Sequence, residues 1–334
     1  MIDHGIESLR AREKNADVKS AELVEAKYNT ESSREKLSEW VQERLSARAR
    51  TASPVERLGD ALASLQYLLV SEAPRLVVGA TRESKDRKEA LLLLLRVVSK
   101  LLPNLQNIRN DPTRLESLWL DVSAATRWVE ERHSDYQMSA KEWKQGITAA
   151  LTGRRGRHFE PTWRVCGLST TNSTSSADKA YTCGLWLLTH FMTVAGGRGD
   201  NVSAAQVESA IHGLVSHLFT CSLCRKHFLE TFNNCSFGRC SNGEGESSDL
   251  AFARLQLWLF RVHNAVTARI YREQGAGDEE DFRTVLWPST SVNLGSQTNT
   301  IVEPLLVLKH LRQSYWEEKQ WGELNPFPSS DYIQ

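Results

Sequence analysis

The sequence has no excess of charge of either sign, with 41 basic and 41 acidic residues among its 334 residues. Because binding to nucleic acid or to an anionic membrane depends on clustered positive charge, this balance supports neither partner. We therefore expect no nucleic-acid partner. A hydrophobic fraction of 40% with ten tryptophans and ten phenylalanines is instead typical of a folded, globular protein.

Long hydrophobic runs are also missing. The most apolar run, at residues 91–95, is closed by Arg96, and the segment 184–197 is too short to span a bilayer and contains His190. The N-terminus, MIDHGIESLRAREK, is charged and lacks the apolar core of a secretory signal. We therefore expect no membrane span in this chain.

The cysteines have an uneven distribution, because all six fall between residues 166 and 240. An even number in three close pairs predicts disulfide bonds, and hence an oxidising compartment, unless a metal ion binds the sulfurs. Asn172, Asn201 and Asn234 each begin an Asn-x-Ser/Thr glycosylation sequon, which favours the same compartment. The expected location is the secretory pathway (endoplasmic reticulum or Golgi) or outside the cell, with the signal sequence upstream of this chain.

Helical periodicity dominates and alternating strand patterns are scarce, so the predicted fold is all-α and built as a helical bundle. Residues 1–50 form a highly charged segment with one amphipathic helix predicted at 37–49. A Ser/Thr-rich loop is expected between Cys166 and Cys183, and residues 151–164 resemble a linker. The predicted parts are 51–154, with helices at 85–102 and 112–132, and 155–334, with helices at 183–194, 204–219, 221–232, 249–273 and 302–317.

The stretch FTCSLCRKHF, residues 219–228, contains two cysteines separated by two residues and followed by basic residues. At the start of a helix such a pair closes a small disulfide, and the helix N-terminus and nearby cations stabilise the thiolate. Zinc sites use the same spacing, so the motif alone leaves a redox disulfide and a zinc site equally open. A zinc-stabilised interaction domain would use Cys221, Cys224, Cys235 and Cys240.

Three further segments carry aromatic, imidazole or cationic side chains. CGLWLLTH, residues 183–190, places Trp186 and His190 four positions apart on one helical face. WLFRVHNAV, residues 258–266, contains a histidine and an asparagine one turn after a phenylalanine, and FRTVLWP, residues 282–288, contains an arginine and a tryptophan. Each side chain alone has an ordinary explanation as a core or surface residue, but their combination favours a functional site.

In this order, the motifs W-x3-H, C-x2-C-x2-H-F, H-N-x-V and W-P resemble the Erv/ALR family of flavin-dependent sulfhydryl oxidases, and most closely its quiescin sulfhydryl oxidases. The resemblance covers about residues 155 to 320. It implies that residues 155–334 are an Erv/ALR sulfhydryl oxidase domain, a helical bundle that holds FAD and needs no metal. More weakly, it implies a cofactor-free, Erv-like helical domain at residues 51–154.

The resemblance also implies a reaction and a set of site residues. A dithiol attacks Cys221, and the electrons pass through Cys224 to FAD and then to oxygen, giving hydrogen peroxide. Indole faces would stack on the cofactor, imidazole and amide groups would hydrogen-bond to it, and Arg283 or Lys179 would face its pyrophosphate. The implied FAD contacts are Trp186, His190, His227, Phe260, His263, Asn264, Val266, Thr267, Arg283, Trp287 and Lys179.

Two structural disulfides are implied as well, Cys166–Cys183 and Cys235–Cys240, with an electron-relay role as the alternative for the second. The sequence departs from the family pattern at Thr267, where asparagine is usual, and at Phe260, where an indole is common. The family's thioredoxin-like unit has no counterpart here, so we expect a small dithiol or a thioredoxin-like partner as electron donor. Residues 51–154 are expected to cover the surface through which shorter Erv proteins dimerise, making the chain a monomer.

Overall fold

The computed structural model describes residues 52–102, 112–132, 138–152, 163–166, 175–197, 201–241, 247–273, 286–287 and 304–315. Within these ranges the secondary structure is helical and contains no strand, which confirms the all-α prediction. From Ser53 onward the described residues belong to one compact unit. None of the helices in these ranges is both long and apolar enough to cross a membrane.

The first described helices precede the cysteine-containing part of the chain. The predictions at 85–102 and 112–132 are confirmed to within a few residues, whereas the helix predicted at 37–49 lies outside the described residues. Helix α1 leads through a π-helical turn at Leu68–Glu72 into a single-turn helix, α2. The bounds are α1 Pro54–Tyr67, α2 Ala73–Leu76, α3 Arg82–Leu101, α4 Pro112–Glu131 and α5 Ala140–Thr152.

The remaining helices carry the sequence motifs. Helix α6 begins at Ser175, inside the segment predicted as a polar loop, because Ser, Ala and Asp are acceptable in the first turn of a helix. A π-helical turn, Leu214–Leu218, follows α7, and a 3-10 turn, Ser236–Gly238, follows α8. The bounds are α6 Ser175–Gly196, α7 Ala204–Gly213, α8 Ser222–Asn233, α9 Ser248–Glu273 and α10 Pro304–Tyr315.

Local sequence signals explain where several of these helices begin. Before α1, the Ser53 hydroxyl accepts the N–H of Glu56 at 3.2 Å, and the Glu56 carboxylate accepts the N–H of Ser53 at 3.0 Å. Pro54 occupies the first turn, where its missing N–H costs nothing. Ser203 and Gln206 form the same reciprocal pair at the start of α7. These capping boxes satisfy backbone groups that a helix N-terminus leaves without partners.

Helices α1 and α6 approach each other closely at Gly184, which belongs to the CGLW motif. A Cβ atom on Gly184 would lie 1.9 Å from the Ser64 hydroxyl and 2.7 Å from the Asp60 carbonyl oxygen. The Ser64 hydroxyl donates to the carbonyl of Tyr181 at 3.1 Å, and the rings of Tyr67 and Tyr181 lie 4.9 Å apart. Glycine is therefore required at this position by the distance between the two helices.

A buried carboxylate ties the segment before α6 to α1. Asp60, which is 1% exposed, accepts the backbone N–H groups of Arg164, Val165 and Cys166 at 2.9, 2.8 and 2.7 Å. Apolar side chains from α1 through α10 form one continuous hydrophobic cluster. The helices before residue 154 thus pack directly on those that follow. The predicted boundary at residues 154 and 155 lies outside the described residues and stays a prediction.

Candidate functional site

The CxxC cysteines form a disulfide at the N-terminus of α8. Cys221 is the N-cap residue of the helix, and its sulfur accepts the backbone N–H of Cys224 at 3.2 Å. An N-cap residue ordinarily accepts such a bond through an oxygen, so the sulfur of Cys221 takes the place of a serine or aspartate side chain. The disulfide is thereby held where the helix dipole is positive.

The surface around this disulfide combines an apolar side chain with cations. Leu223, between the two cysteines, is 54% exposed. Lys226 and His227 both lie near the carboxylate of Glu230, at 4.0 and 3.6 Å, and Arg225 follows Cys224 directly. Exposed ion pairs of this kind add little stability. Arg225 and Lys226 outnumber Glu230, so the surroundings of the disulfide carry a net positive charge, which favours the approach of a thiolate.

The zinc-site hypothesis is wrong in this structure. Cys221 and Cys224 are bonded to each other at the beginning of α8, and Cys235 and Cys240 are bonded to each other just beyond its end. A helix of 12 residues separates the two pairs by about 18 Å. Four sulfurs at such distances do not converge on one tetrahedral ion. The relay role that the resemblance leaves as an alternative for Cys235–Cys240 stays a prediction.

The other two predicted pairs, Cys166–Cys183 and Cys235–Cys240, are disulfide-bonded, which confirms the pairing implied by the resemblance. In the second, Cys235 has a φ of 52°, a left-handed conformation uncommon outside glycine. Arg239 stabilises this turn: its guanidinium donates to the Phe232 carbonyl at 2.8 Å, pairs with Glu208 at 2.7 Å and lies over the Phe232 ring. The contacts of Arg239 and the disulfide together hold this turn in place.

Imidazole and indole rings from four segments meet in the interior. This aromatic cluster consists of Trp186 and His190 on α6, His263 on α9, Trp287 in the segment 286–287, and His310 on α10. The rings of Trp186 and His263 are stacked with centroids 4.2 Å apart and planes 4° apart. His190 Nε2 and His263 Nδ1 share a hydrogen bond of 3.1 Å. Trp287 lies 4.8 Å from His190 and 5.5 Å from His310.

Burial keeps these imidazoles neutral near pH 7. It lowers the pKa of His263 to about 4, and burial together with the charge of Arg57 lowers the pKa of His310 to about 4. The pKa of His190 lies well below its ordinary value because of burial first, and then because of His263 and Arg57. Each neutral ring offers one N–H donor and one lone pair. His190 Nδ1 is buried and has no hydrogen-bond partner among the described residues.

Asn264 contacts the aromatic cluster through the backbone of Trp287. Its side-chain Nδ2 donates to the Trp287 carbonyl at 2.7 Å, and its Oδ1 accepts the Trp287 N–H at 2.9 Å. The Phe260 ring lies 6.1 Å from that of Trp287, on the preceding turn of α9. Thr267 donates its hydroxyl to the His263 carbonyl at 3.1 Å, a bond within α9.

The remaining predicted contacts lie apart from this group. Val266 is half-buried on α9, and His227 lies on α8, where the described contacts join it to Glu230. Lys179 belongs to α6, but its side chain lies outside the described part, as does Arg283 entirely. Helix α9 connects the two regions, because its Trp258 ring lies 6.3 Å from Phe228 of α8. Trp258 precedes His263 by about 7.5 Å along the helix axis.

The aromatic cluster fits a flat nucleotide cofactor such as FAD. Its indole faces suit stacking on a ring system, and its neutral imidazoles suit the polar edges of ring and ribose. The buried Nδ1 of His190, which lacks a partner among the described residues, provides a polar atom for a ligand. Among these residues no group of three or more His, Cys, Asp or Glu is arranged to hold a metal ion.

Comparison with known proteins agrees with this geometry. Residues 183–288, which hold the CxxC pair and four of the five residues of the aromatic cluster, match the Erv1 / Alr family. We call this matched region the Erv1 / Alr domain. The matched range contains all of α7, α8 and α9 and the part of α6 that carries Trp186 and His190.

Curated relatives match longer stretches of the chain than the Erv1 / Alr family does. Sulfhydryl oxidase 1 of Oryza sativa subsp. japonica is 34% identical over 130 residues, which cover 38% of this chain and 21% of the relative. Sulfhydryl oxidase 1 of Cavia porcellus is 26% identical over 241 residues, covering 69% of this chain and 33% of the relative. The chain thus spans between a fifth and a third of the length of these two relatives.

A solved structure shows the same fold. The sulfhydryl oxidase fragment of human QSOX1 superposes with a TM-score of 0.53 over 78% of this chain and 94% of that one. The identity is 23%, so this likeness concerns the fold. It includes helices outside the Erv1 / Alr domain, because the domain match covers residues 183–288.

Sequence reasoning missed two residues of this site. His310 lies on the closing helix, in PLLVLKHLRQSY, where a single histidine carries no distinguishing signal. Arg57 lies on α1, far along the chain from every motif, yet its charge acts on His190, His310 and Tyr315. Both act across tertiary contacts, which no local spacing reveals.

Proposed function

We propose that this chain is an FAD-dependent sulfhydryl oxidase module that passes electrons from dithiols to molecular oxygen, forming disulfides and hydrogen peroxide. The observation that carries the proposal is the Cys221–Cys224 disulfide at the positive N-terminus of α8. The match of residues 183–288 to the Erv1 / Alr family and the similarity to sulfhydryl oxidases of Oryza sativa and Cavia porcellus support it.

The first step is thiol–disulfide exchange. A thiolate of the electron donor attacks Sγ of Cys221, a bond forms between these two sulfurs, and the Cys221–Cys224 bond breaks with Cys224 leaving as a thiolate. The second thiolate of the donor then attacks the donor sulfur in the mixed disulfide, and Cys221 leaves as a thiolate. The donor has become a disulfide, and its two electrons reside on the cysteine pair.

The position of Cys221 favours this second departure. Its sulfur accepts the N–H of Cys224, so the negative charge that develops on leaving is stabilised by a backbone donor and by the helix dipole. Arg225 and Lys226 add positive charge nearby. Leu223, which is exposed between the two cysteines, offers an apolar contact surface for the donor next to the disulfide.

FAD, when bound, supplies the acceptor for the two electrons and the chemistry that reduces oxygen to hydrogen peroxide. Trp186 and Trp287 would stack against it, and His190 and His263 would hydrogen-bond to it as neutral imidazoles. Asn264 would act indirectly, by fixing the backbone of Trp287. The other proposed cofactor contacts are His227, Phe260, Val266, Thr267, Lys179 and Arg283. The charge of Arg57 acts on the histidines of the aromatic cluster.

The proposed donor is a small dithiol or a thioredoxin-like protein or domain, because the disulfide lies at the surface end of α8 and reacts by exchange. We further propose that the chain functions as a monomer in the secretory pathway or outside the cell. Two sequons are compatible with this location, since Asn201 and Asn234 are exposed, whereas Asn172 lies outside the described residues.

An absorption spectrum of the purified protein tests the proposal. We expect the visible bands of oxidised flavin, their loss on anaerobic addition of dithiothreitol, and their return with oxygen together with one hydrogen peroxide per dithiol oxidised. Cys224→Ser should retain the bands and lose the bleaching. A protein that is colourless after reconstitution with FAD and consumes no oxygen with dithiothreitol would contradict the proposal.

A further inference from the structure

An open groove lies along one face of α8 and begins next to the active disulfide, at Ser222. Its volume is about 550 Å³, and Ser222, the residue between Cys221 and Leu223, lies at one end of its lining. Asn233 and Asn234 line the other end, at the C-terminus of the same helix. Ser216, from the π-helical turn before α8, also lines the groove. The groove therefore begins one residue after Cys221, although neither cysteine lines it, and it extends toward the C-terminus of α8.

The lining residues of α8 form one continuous helical face. Ser222, Arg225, Lys226, Leu229, Glu230 and Asn233 follow the i, i+3, i+4, i+7, i+8, i+11 pattern that places side chains on one side of a helix. From first to last this face is about 16 Å long. An extended peptide advances about 3.3 Å per residue, so the groove accommodates about five residues of extended chain.

The chemistry of this face suits an acidic peptide. Arg225 and Lys226 provide two positive charges against the single negative charge of Glu230, and the N-terminus of α8 adds a partial positive charge. In the described part of the chain no carboxylate pairs with the Arg225 guanidinium. Serine hydroxyls and asparagine amides at the two ends offer donors and acceptors for a peptide backbone.

We propose that this groove binds an extended segment of the dithiol-bearing partner protein, with acidic side chains next to the partner's attacking cysteine. The inference rests on the proposed function and names its substrate class. A carboxylate of the partner would pair with Arg225 or Lys226 while the partner thiolate attacks Sγ of Cys221 and expels Cys224, as described above. The partner backbone would extend toward Asn233.

A charge-reversal experiment tests this. Oxygen consumption is measured with two reduced peptides of equal length, each containing one Cys-x-x-Cys dithiol. In one peptide the five residues flanking the dithiol are rich in Asp and Glu, and in the other they are rich in Lys. The acidic-to-basic ratio of kcat/KM is measured for the unmodified protein and for Arg225→Glu/Lys226→Glu. Comparing the two ratios cancels the intrinsic reactivity of each peptide thiol and any change in the disulfide itself.

We expect the ratio to fall about tenfold in the charge-reversed variant at low ionic strength, and the difference to shrink as sodium chloride is added. The matched control is Lys141→Glu/Lys144→Glu, an equal charge change on exposed residues of α5. The control should retain the ratio of the unmodified protein. An equal fall in the control would mean that net charge alone is responsible, and would overturn the groove.

The outcomes separate this inference from the proposed function. Oxidation of dithiothreitol with an unchanged peptide ratio in Arg225→Glu/Lys226→Glu overturns the groove and leaves the function intact. If dithiothreitol is not oxidised, the function fails, and the groove is judged by binding alone. Binding of Cys-to-Ser versions of both peptides is then measured by fluorescence anisotropy. Tighter binding of the acidic peptide, lost in Arg225→Glu/Lys226→Glu, supports the groove, and equal binding of the two peptides overturns it.

Discussion

The side chain of Asn264 forms a two-point hydrogen bond with the backbone of Trp287, donating to its carbonyl at 2.7 Å and accepting its N–H at 2.9 Å. The two residues are 23 positions apart, and the indole of Trp287 contacts both His190 and His310. The bond therefore fixes the position of the Trp287 ring relative to α9. Asn264 acts as a positioning residue for the aromatic cluster.

Replacing Asn264 by Asp should loosen Trp287 and weaken cofactor binding. The carboxylate retains the acceptor for the Trp287 N–H but faces the Trp287 carbonyl without a donor, which costs about 1–2 kcal/mol. We expect the dissociation constant for FAD, measured by flavin fluorescence, to rise about tenfold. The control is Gln145→Glu, the same amide-to-carboxylate change on an exposed part of α5. Equal FAD affinity in Asn264→Asp and the unmodified protein would refute the positioning role.

The two disulfides at the ends of α8 should respond differently to removal. Cys221→Ser and Cys224→Ser should each abolish dithiol-driven oxygen consumption, because exchange needs both sulfurs. Cys235→Ser/Cys240→Ser should retain turnover and lose about 2 kcal/mol of unfolding free energy, the amount expected for so short a loop. Oxygen consumption and urea unfolding check the two expectations. Loss of turnover in the second variant, with the flavin still bound, would support the relay hypothesis.

The aromatic cluster should make folding sensitive to mild acid. His263 and His310 have pKa values of about 4 when folded and about 6.5 when unfolded, so the unfolded chain binds more protons between these values. Stability is therefore full above pH 6.5 and falls as the pH drops toward 4. Each imidazole contributes a loss of up to about 2 kcal/mol between pH 7 and pH 5.

Urea unfolding at pH 7, 6 and 5 measures this slope. His310→Gln should flatten it, because one buried imidazole no longer has to be protonated on unfolding. The matched comparison is His217→Gln, which makes the same substitution outside the aromatic cluster. An identical pH dependence in His310→Gln and the unmodified protein would show that His310 is not buried against Trp287.

The helices and the CxxC disulfide were predictable because their signals are local. Capping residues such as Ser203, apolar spacing and a cysteine pair followed by cations need only neighbouring positions. The pairing of Trp186 with His190 on one face of α6 is also local. Its stacking on His263 depends on how α6 and α9 pack, and the resemblance to the Erv/ALR family, not periodicity, brought these residues together in advance.

The features that could not be predicted depend on the path of the chain. The sequence predicts a polar contact for Asn264 but not its partner. That partner is the backbone of Trp287, because the chain returns to α9 at this residue. His310 and Arg57 reach the site from helices without any motif. By contrast, the zinc hypothesis could have been excluded from sequence, because the helix predicted at residues 221–232 already separates the two cysteine pairs by about 18 Å.

The close contact between α1 and α6 predicts opposite effects of alanine substitution at two glycines, one on each helix. Gly184→Ala places a Cβ 1.9 Å from the Ser64 hydroxyl and 2.7 Å from a backbone oxygen, so the helices must separate, and we expect a loss of about 2–3 kcal/mol of unfolding free energy. Gly59→Ala, on α1, meets no atom within 4 Å and should stabilise by about 0.5–1 kcal/mol through helix propensity.

Adding Ser64→Ala to Gly184→Ala should recover only part of the loss, because it removes the hydroxyl clash and leaves the carbonyl oxygen of Asp60 in place. Urea unfolding of the three variants and the double mutant gives the coupling between the two positions. The separation of the helices should also disturb Trp186, two residues beyond Gly184 on α6, so FAD should bind more weakly to Gly184→Ala than to Gly59→Ala. Equal stability of these two single variants would contradict the close approach of α1 and α6.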